Sequence, residues 1–119
     1  MLDHIILSVS DVERSLAFYE AALKPLHIKF FLPYKGEGDH PDLWGFGDGK
    51  RAFFWIKQGK PDLAPIHWGF MAENNDKVDQ FYRAAYPLVP GTIFHPGQGW
   101  NTIRDTTPPM YLTRTRVFV

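Results

Sequence analysis

"HIILSVSDVERSLAFYEAAL", residues 4–23, and "HWGFMAENNDKVDQFYRAAY", residues 67–86, carry one pattern twice. Aligned without a gap, they share His4 with His67, Phe18-Tyr19 with Phe81-Tyr82, and Ala21-Ala22 with Ala84-Ala85. Each copy opens on a histidine and a short apolar run and then changes to helical spacing. The match therefore preserves element type and spacing together, which coincidence of residues alone seldom does.

The first copy can be read element by element. Residues 4–9 are apolar and rich in β-branched side chains, the composition of a buried strand. Ser10-Asp11-Val12-Glu13 has the Ser-x-x-Glu spacing of a capping box and predicts a helix over residues 11–23. Val12, Leu16, Tyr19 and Leu23 recur at intervals of three and four, one buried stripe, and Pro25 opposes continuation. "HIKFFLPY", residues 27–34, reads as the next strand and residues 35–41 as a loop. "DLWGFG" (42–47) and "RAFFWIK" (51–57) follow as strands around Asp48-Gly49-Lys50, a hairpin signal because glycine supplies the positive φ such turns need. The order is β-α-β-β-β. Gly59-Lys60-Pro61-Asp62 reads as a linker, after which the second copy predicts a strand over 67–72 and a helix over 75–86 with Val78, Phe81, Tyr82 and Ala85 inward. The expected fold class is α+β: two βαβββ modules, residues 1–60 and 61–119, in one domain spanning 1–119.

Composition narrows the function. The 119 residues are 45% hydrophobic and 22% charged, with 13 basic and 13 acidic side chains, a globular balance with no basic stripe for nucleic acid. No apolar run approaches the roughly 20 residues that span a bilayer, and the start of the chain lacks a secretory pattern, so neither membrane nor export is expected and the address is read as cytoplasmic. The absence of cysteine excludes disulfides, thiolate ligands and cysteine nucleophiles.

If the modules pack about a pseudo-twofold axis, His4 and His67 occupy equivalent positions and their imidazoles can meet. Neutral imidazole ligates zinc, iron, manganese and nickel, and a catalytic site takes about three protein ligands with one position open. The competing reading is that each histidine ends its strand and bonds nearby backbone.

At Asp3-His4 with its strand, the "SDVERSLAFYEAALKPL" helix, and His67 after Pro65-Ile66, the chain resembles the vicinal oxygen chelate superfamily over roughly residues 1–86. Glyoxalase I, fosfomycin-resistance thiol transferases, extradiol dioxygenases and bleomycin-resistance proteins belong there. The resemblance implies mixed sheets curled around a cleft, a homodimer, and a divalent metal (Zn, Fe, Mn or Ni). Its ligands come from the first strand of each module, here His4 and His67, and from an acid on the last strand. "RAFFWIK" offers no carboxylate for the further ligand some members carry. Trp44, Phe46, Phe53 and Trp55 are candidates for an aromatic cleft holding a small-molecule ligand, one or two of them exposed there.

The tail departs from that pattern. "RDTTPPMYLTRTRVFV" has Arg104, Arg114 and Arg116 against Asp105, and no acid after it, so the third ligand is not found; Asp105 and His95 are the substitutes at hand. A constant one-base shift restores familiar residues. Joining the last base of each codon to the first two of the next, residues 105–115 permit Tyr-Tyr-Ala-Ala-Tyr-Val-Leu-Asp-Pro-Asp, with Val forced at Met110-Tyr111 and Glu forced upstream at Trp100-Asn101. The correspondence lapses before the family's glutamate. "MYLTRTRVF" nevertheless alternates apolar and polar residues as a strand does. Three functions compete: a metal-dependent lyase, transferase or dioxygenase acting on an oxygen-chelating substrate, a metal-free protein that sequesters a planar ligand, and a disabled, frameshifted member.

Overall fold

The computed structural model describes residues 1–61 and 69–85, together with the backbone of 101–103, 110–113 and 116–118. The first module contains β1 (Ile5–Val9), α1 (Val12–Leu23), β2 (Lys29–Tyr34), β3 (Leu43–Gly47) and β4 (Ala52–Gln58). Its sheet runs in the order β1-β4-β3-β2, with β1 parallel to β4 and the other neighbours antiparallel. This is the expected βαβββ unit. Parallel pairing of β1 with β4 requires a crossover, which α1 supplies by packing across one face.

Both ends of α1 differ in detail from the sequence expectation. The N-cap is Asp11, not Ser10: its Oδ1 accepts the Arg14 N–H at 3.0 Å. Gln58 Oε1 takes the Val12 N–H at 3.3 Å, so a residue 46 positions away completes the cap that Glu13 was expected to share. At the other end Lys24–Leu26 forms a 3-10 turn, and His27 adopts a left-handed conformation, φ 60°, donating its N–H to the Lys24 carbonyl. Such a residue satisfies carbonyls that a helix end leaves open. His27 therefore closes the helix, and β2 begins at Lys29.

The core lies between α1 and the sheet. Val12, Phe18, Tyr19, Ala22 and Leu23 from the helix meet Leu7, Val9, Phe46, Phe54 and Ile56 from the strands. Tyr19 meets Phe54 edge to face at a centroid distance of 4.9 Å and Phe46 at 6.1 Å. Leu16 is only partly buried, while Phe18 and Ala22, outside the expected stripe, are inside. Pro33, which cannot donate to a ladder, sits on β2 at the sheet edge. In the β3–β4 turn Gly49 has φ 91°, and Asp48 Oδ1 accepts the N–H groups of Lys50 and Arg51 at 2.9 and 3.1 Å.

The second module contributes β5 (Gly69–Met71) and α2 (Asn75–Ala85). Asn74 Oδ1 accepts the Lys77 N–H at 3.0 Å and starts α2. Val78, Phe81 and Ala85 are buried and Tyr82 is partly so, as the spacing predicts. Phe70, Phe81 and Ala85 join the same core as the first module, with Phe70 edge-on to Phe54 at 5.3 Å.

The remaining strands are β6 (Asn101–Ile103), β7 (Met110–Thr113) and β8 (Arg116–Phe118), and the sheet order is β5-β8-β7-β6. This repeats the neighbour order of the first sheet but not its sense, because β5 pairs antiparallel with β8. The tail segment read as one alternating strand is thus two, turned back on each other with Thr113 opposite Arg116. Neighbour order follows strand pairing, whereas direction depends on the connections, and residues 86–100 lie outside the described residues.

Candidate functional site: an open groove and a histidine position

Side chains alternate across a strand, so the residues between the core positions emerge on the face of the first sheet away from α1. Two rows cross that face. In one, Ile6 pairs with Trp55, Trp55 with Gly45, and Gly45 with Leu32. In the next, Ser8 pairs with Lys57 and Leu43 with Tyr34. His40 and Pro41, from the loop after β2, stand beside this second row, and with it and residues Ile6 and Leu7 of β1 they bound a groove of about 470 Å³.

Gly45 matters because it has no side chain. A Cβ there would lie 2.7 Å from the Trp55 ring, so the indole lies on bare backbone of β3. The loop wall is fixed by Asp42, whose two carboxylate oxygens take the Lys35 ammonium at 2.7 Å and the Gly36 N–H at 3.0 Å. These bonds hold its carboxyl below the usual carboxylate range, the Lys35 hydrogen bond foremost. The His40 N–H donates to the Glu37 carbonyl at 3.1 Å, and any side chain at Gly36 would overlap the His40 carbonyl oxygen. Lys57, partly buried beside Ser8, has no acidic partner among the described residues.

His4 stands one residue before β1, although it was expected to be the strand's first member, and its side chain is 49% exposed. Its Nδ1 lies 2.7 Å from Asp3 Oδ2, and Asp3 Oδ1 accepts from Arg51 Nη1 at 3.2 Å. An ionised aspartate only accepts, so the proton is on Nδ1 and Nε2 is the nitrogen left for an ion. Metal-bound histidines commonly have their other nitrogen tied to a carboxylate in this way. The Asp3 carboxyl is held below its ordinary value, first by the His4 hydrogen bond and then by the Arg51 charge. His4 therefore fits one position of a metal site. His67, His95 and Asp105 lie outside the described residues, as does the approach of His4 to His67. Among the described residues no three His, Asp or Glu side chains are grouped around one point.

The four aromatic candidates separate by face. Trp55 is on the open face. Phe46 is fully buried on the α1 face, stacked among Tyr19, Phe30 and Phe54, and is a core residue, not cleft lining. Trp44, paired with Ile56, and Phe53, at the β3–β4 register shift, are partly buried against the same core. Ser8, Tyr34, His40 and Lys57 were not singled out in the sequence. Their only local signal was the Gly36-Glu37-Gly38 loop next to a strand; the cross-strand register that unites them is tertiary.

The Glyoxalase/Bleomycin resistance protein/Dioxygenase superfamily model matches residues 1–87. The chain belongs to that superfamily. Among solved structures, the trypanothione-dependent glyoxalase I of Leishmania major is similar, with a TM-score of 0.52 and 16% identity over 99% of this chain and 82% of that one. At that identity the likeness concerns the fold. Comparison with curated proteins gives no match.

Proposed function

We propose that the chain binds a small organic molecule in the groove on the open face of its first sheet. The observation that carries this is the combination of a braced loop wall and the Ile6, Tyr34 and Leu43 side chains around about 470 Å³ of space, with Trp55 in the adjacent row of the same face. That volume falls in the range of about 300–1,000 Å³ usual for small-molecule sites. The Tyr34 ring and the apolar Ile6 and Leu43 side chains give contact area with few rotors to order, so binding needs no accompanying reaction. A panel of flat heteroaromatic compounds should change the tryptophan emission in a saturable way, and Trp55→Phe should remove most of that response. Emission indifferent to the whole panel would defeat the reading.

A second reading is supported by the Asp3–His4 hydrogen bond, which frees His4 Nε2 for a divalent ion. His4 and His67 would be the ligands. A bound Zn, Fe, Mn or Ni would act as a Lewis acid on an oxygen-chelating substrate, the chemistry of a lyase, transferase or dioxygenase. Asp3, itself held by Arg51, would fix the orientation of the ring by holding its Nδ1 side. Metal analysis of the purified protein decides it: stoichiometric metal that survives both His4→Ala and His67→Ala removes this site.

The tail bears on both readings. The family model's match ends at residue 87, close to where the resemblance in sequence stops, and the one-base shift serves the stretch from Trp100 to Thr115. We read the tail as a frameshifted copy of the family's last strands, which leaves the metal site without its acid. Gene sequencing tests this, because an inserted or deleted base near the Tyr86 codon should restore an acidic last strand. A homodimer, expected from the family, is checked by sedimentation.

A further inference from the structure

We infer that the groove selects organic anions, with Lys57 holding the charge; this rests on the groove being the ligand site. The floor is mixed in character. Ile6 and Leu43 supply apolar surface, Ser8 and Tyr34 hydroxyl groups, and Lys57 the cation, with His40 at the rim. No carboxylate is among the described lining residues, and the acid of the wall, Asp42, is already bonded to Lys35 and Gly36. Lys57 is paired in register with Ser8 on the parallel β1–β4 ladder, so the hydroxyl and the lysine side chain leave the same face and line the same groove.

The charge balance gives the ligand's sign. A partly buried ammonium loses part of its hydration, and an anion that reaches it recovers that loss through a charge-assisted hydrogen bond. A neutral ligand of the same shape would cover the ammonium and return nothing. A cation would be repelled. The apolar rows give the ligand's body: an inorganic anion would leave Ile6 and Leu43 in water, whereas a carboxylate on a bicyclic ring covers them while its oxygens reach Lys57 and Ser8. The structure thus assigns Lys57 a specificity-determining role that does not involve His4 or a metal.

The test compares 2-naphthoate with 2-naphthalenemethanol, the same rings without the charge, on the full chain by fluorescence titration. Naphthoate should bind about tenfold more tightly, the discrimination typical of one charge-assisted hydrogen bond. Lys57→Met and Lys57→Gln should each cost naphthoate about tenfold and leave the alcohol unchanged. Lys57→Arg should retain most of the preference, and Lys60→Met, outside the groove, should change neither probe. Equal affinity of the two probes for the wild type, or a preference that survives both Lys57→Met and Lys57→Gln, overturns the assignment while the groove remains a binding site. Failure of both probes to bind overturns the groove and the assignment together. Thermal melts of each variant separate loss of fold from loss of the cation, and Lys57→Arg carries the comparison if the uncharged variants melt early.

Discussion

Gly45 decides at a single position whether the open face can hold a flat ring. Its hydrogen leaves space that the Trp55 indole occupies, and the methyl of Gly45→Ala would also press within 2.9 Å of Ala52 Cβ. Overpacking of this kind costs about 1–3 kcal/mol. Gly45→Ala should therefore lower the urea midpoint and shift the tryptophan emission, and unchanged emission would show that the indole does not lie on β3. Asp42 sets a pH dependence at the same scale. Its folded-state pKa is depressed, so the stability it provides is present above the ordinary carboxylate value and is lost as pH falls through the lower folded value. Stability of the wild type should fall between neutral pH and the region below 3.8, and Asp42→Asn should flatten that fall. Asp3 and Asp48 are depressed too, so a residual slope remains.

At the scale of the element, α1 depends on a cap built from two parts of the chain. Asp11 holds the Arg14 N–H, and Gln58 holds the Val12 N–H while its Nε2 donates to the Ser10 carbonyl at 2.6 Å. Replacing a side-chain N-cap with alanine costs about 1 kcal/mol. Asp11→Ala should show that loss in urea unfolding, whereas Ser10→Ala should stay within about 0.5 kcal/mol, the range of ordinary surface changes. The reverse ranking would restore the capping box that the sequence spacing suggests. Gln58 also ties the end of β4 to the start of α1, so the helix is anchored at the strand that pairs parallel with β1.

Across the whole molecule, the link between modules is aromatic. Phe54 is fully buried and meets Tyr19, Phe46 and Phe70, the last from β5. Truncating a buried phenylalanine to alanine costs about 3–5 kcal/mol. Phe54→Ala should lose that amount in urea unfolding, and Phe70→Ala less. The double-mutant cycle should return a coupling of about 0.5–1.5 kcal/mol, the usual worth of an edge-to-face pair. Additive losses would mean that the rings of the two modules do not interact in solution.

The local pattern determined the first module because each of its signals is short-range. Apolar runs marked β1 and β4, helical spacing marked α1 and α2, and Asp48-Gly49 marked a turn whose glycine does have positive φ. The duplicated Phe-Tyr and Ala-Ala positions fall on α1 and α2, and helix bounds of 75–86 expected and Asn75–Ala85 observed agree to one residue. Other features depended on partners distant in the chain. Asp11 rather than Ser10 caps α1, and Gln58 arrives from β4 to hold the Val12 N–H beside it. Phe46 and Trp55 look alike in sequence, yet strand parity and the side covered by α1 put one in the core and the other on the open face. Lys57, Ser8 and Tyr34 became neighbours only through strand register, and the antiparallel pairing of β5 with β8 follows from pairing across the sheet that no local periodicity encodes.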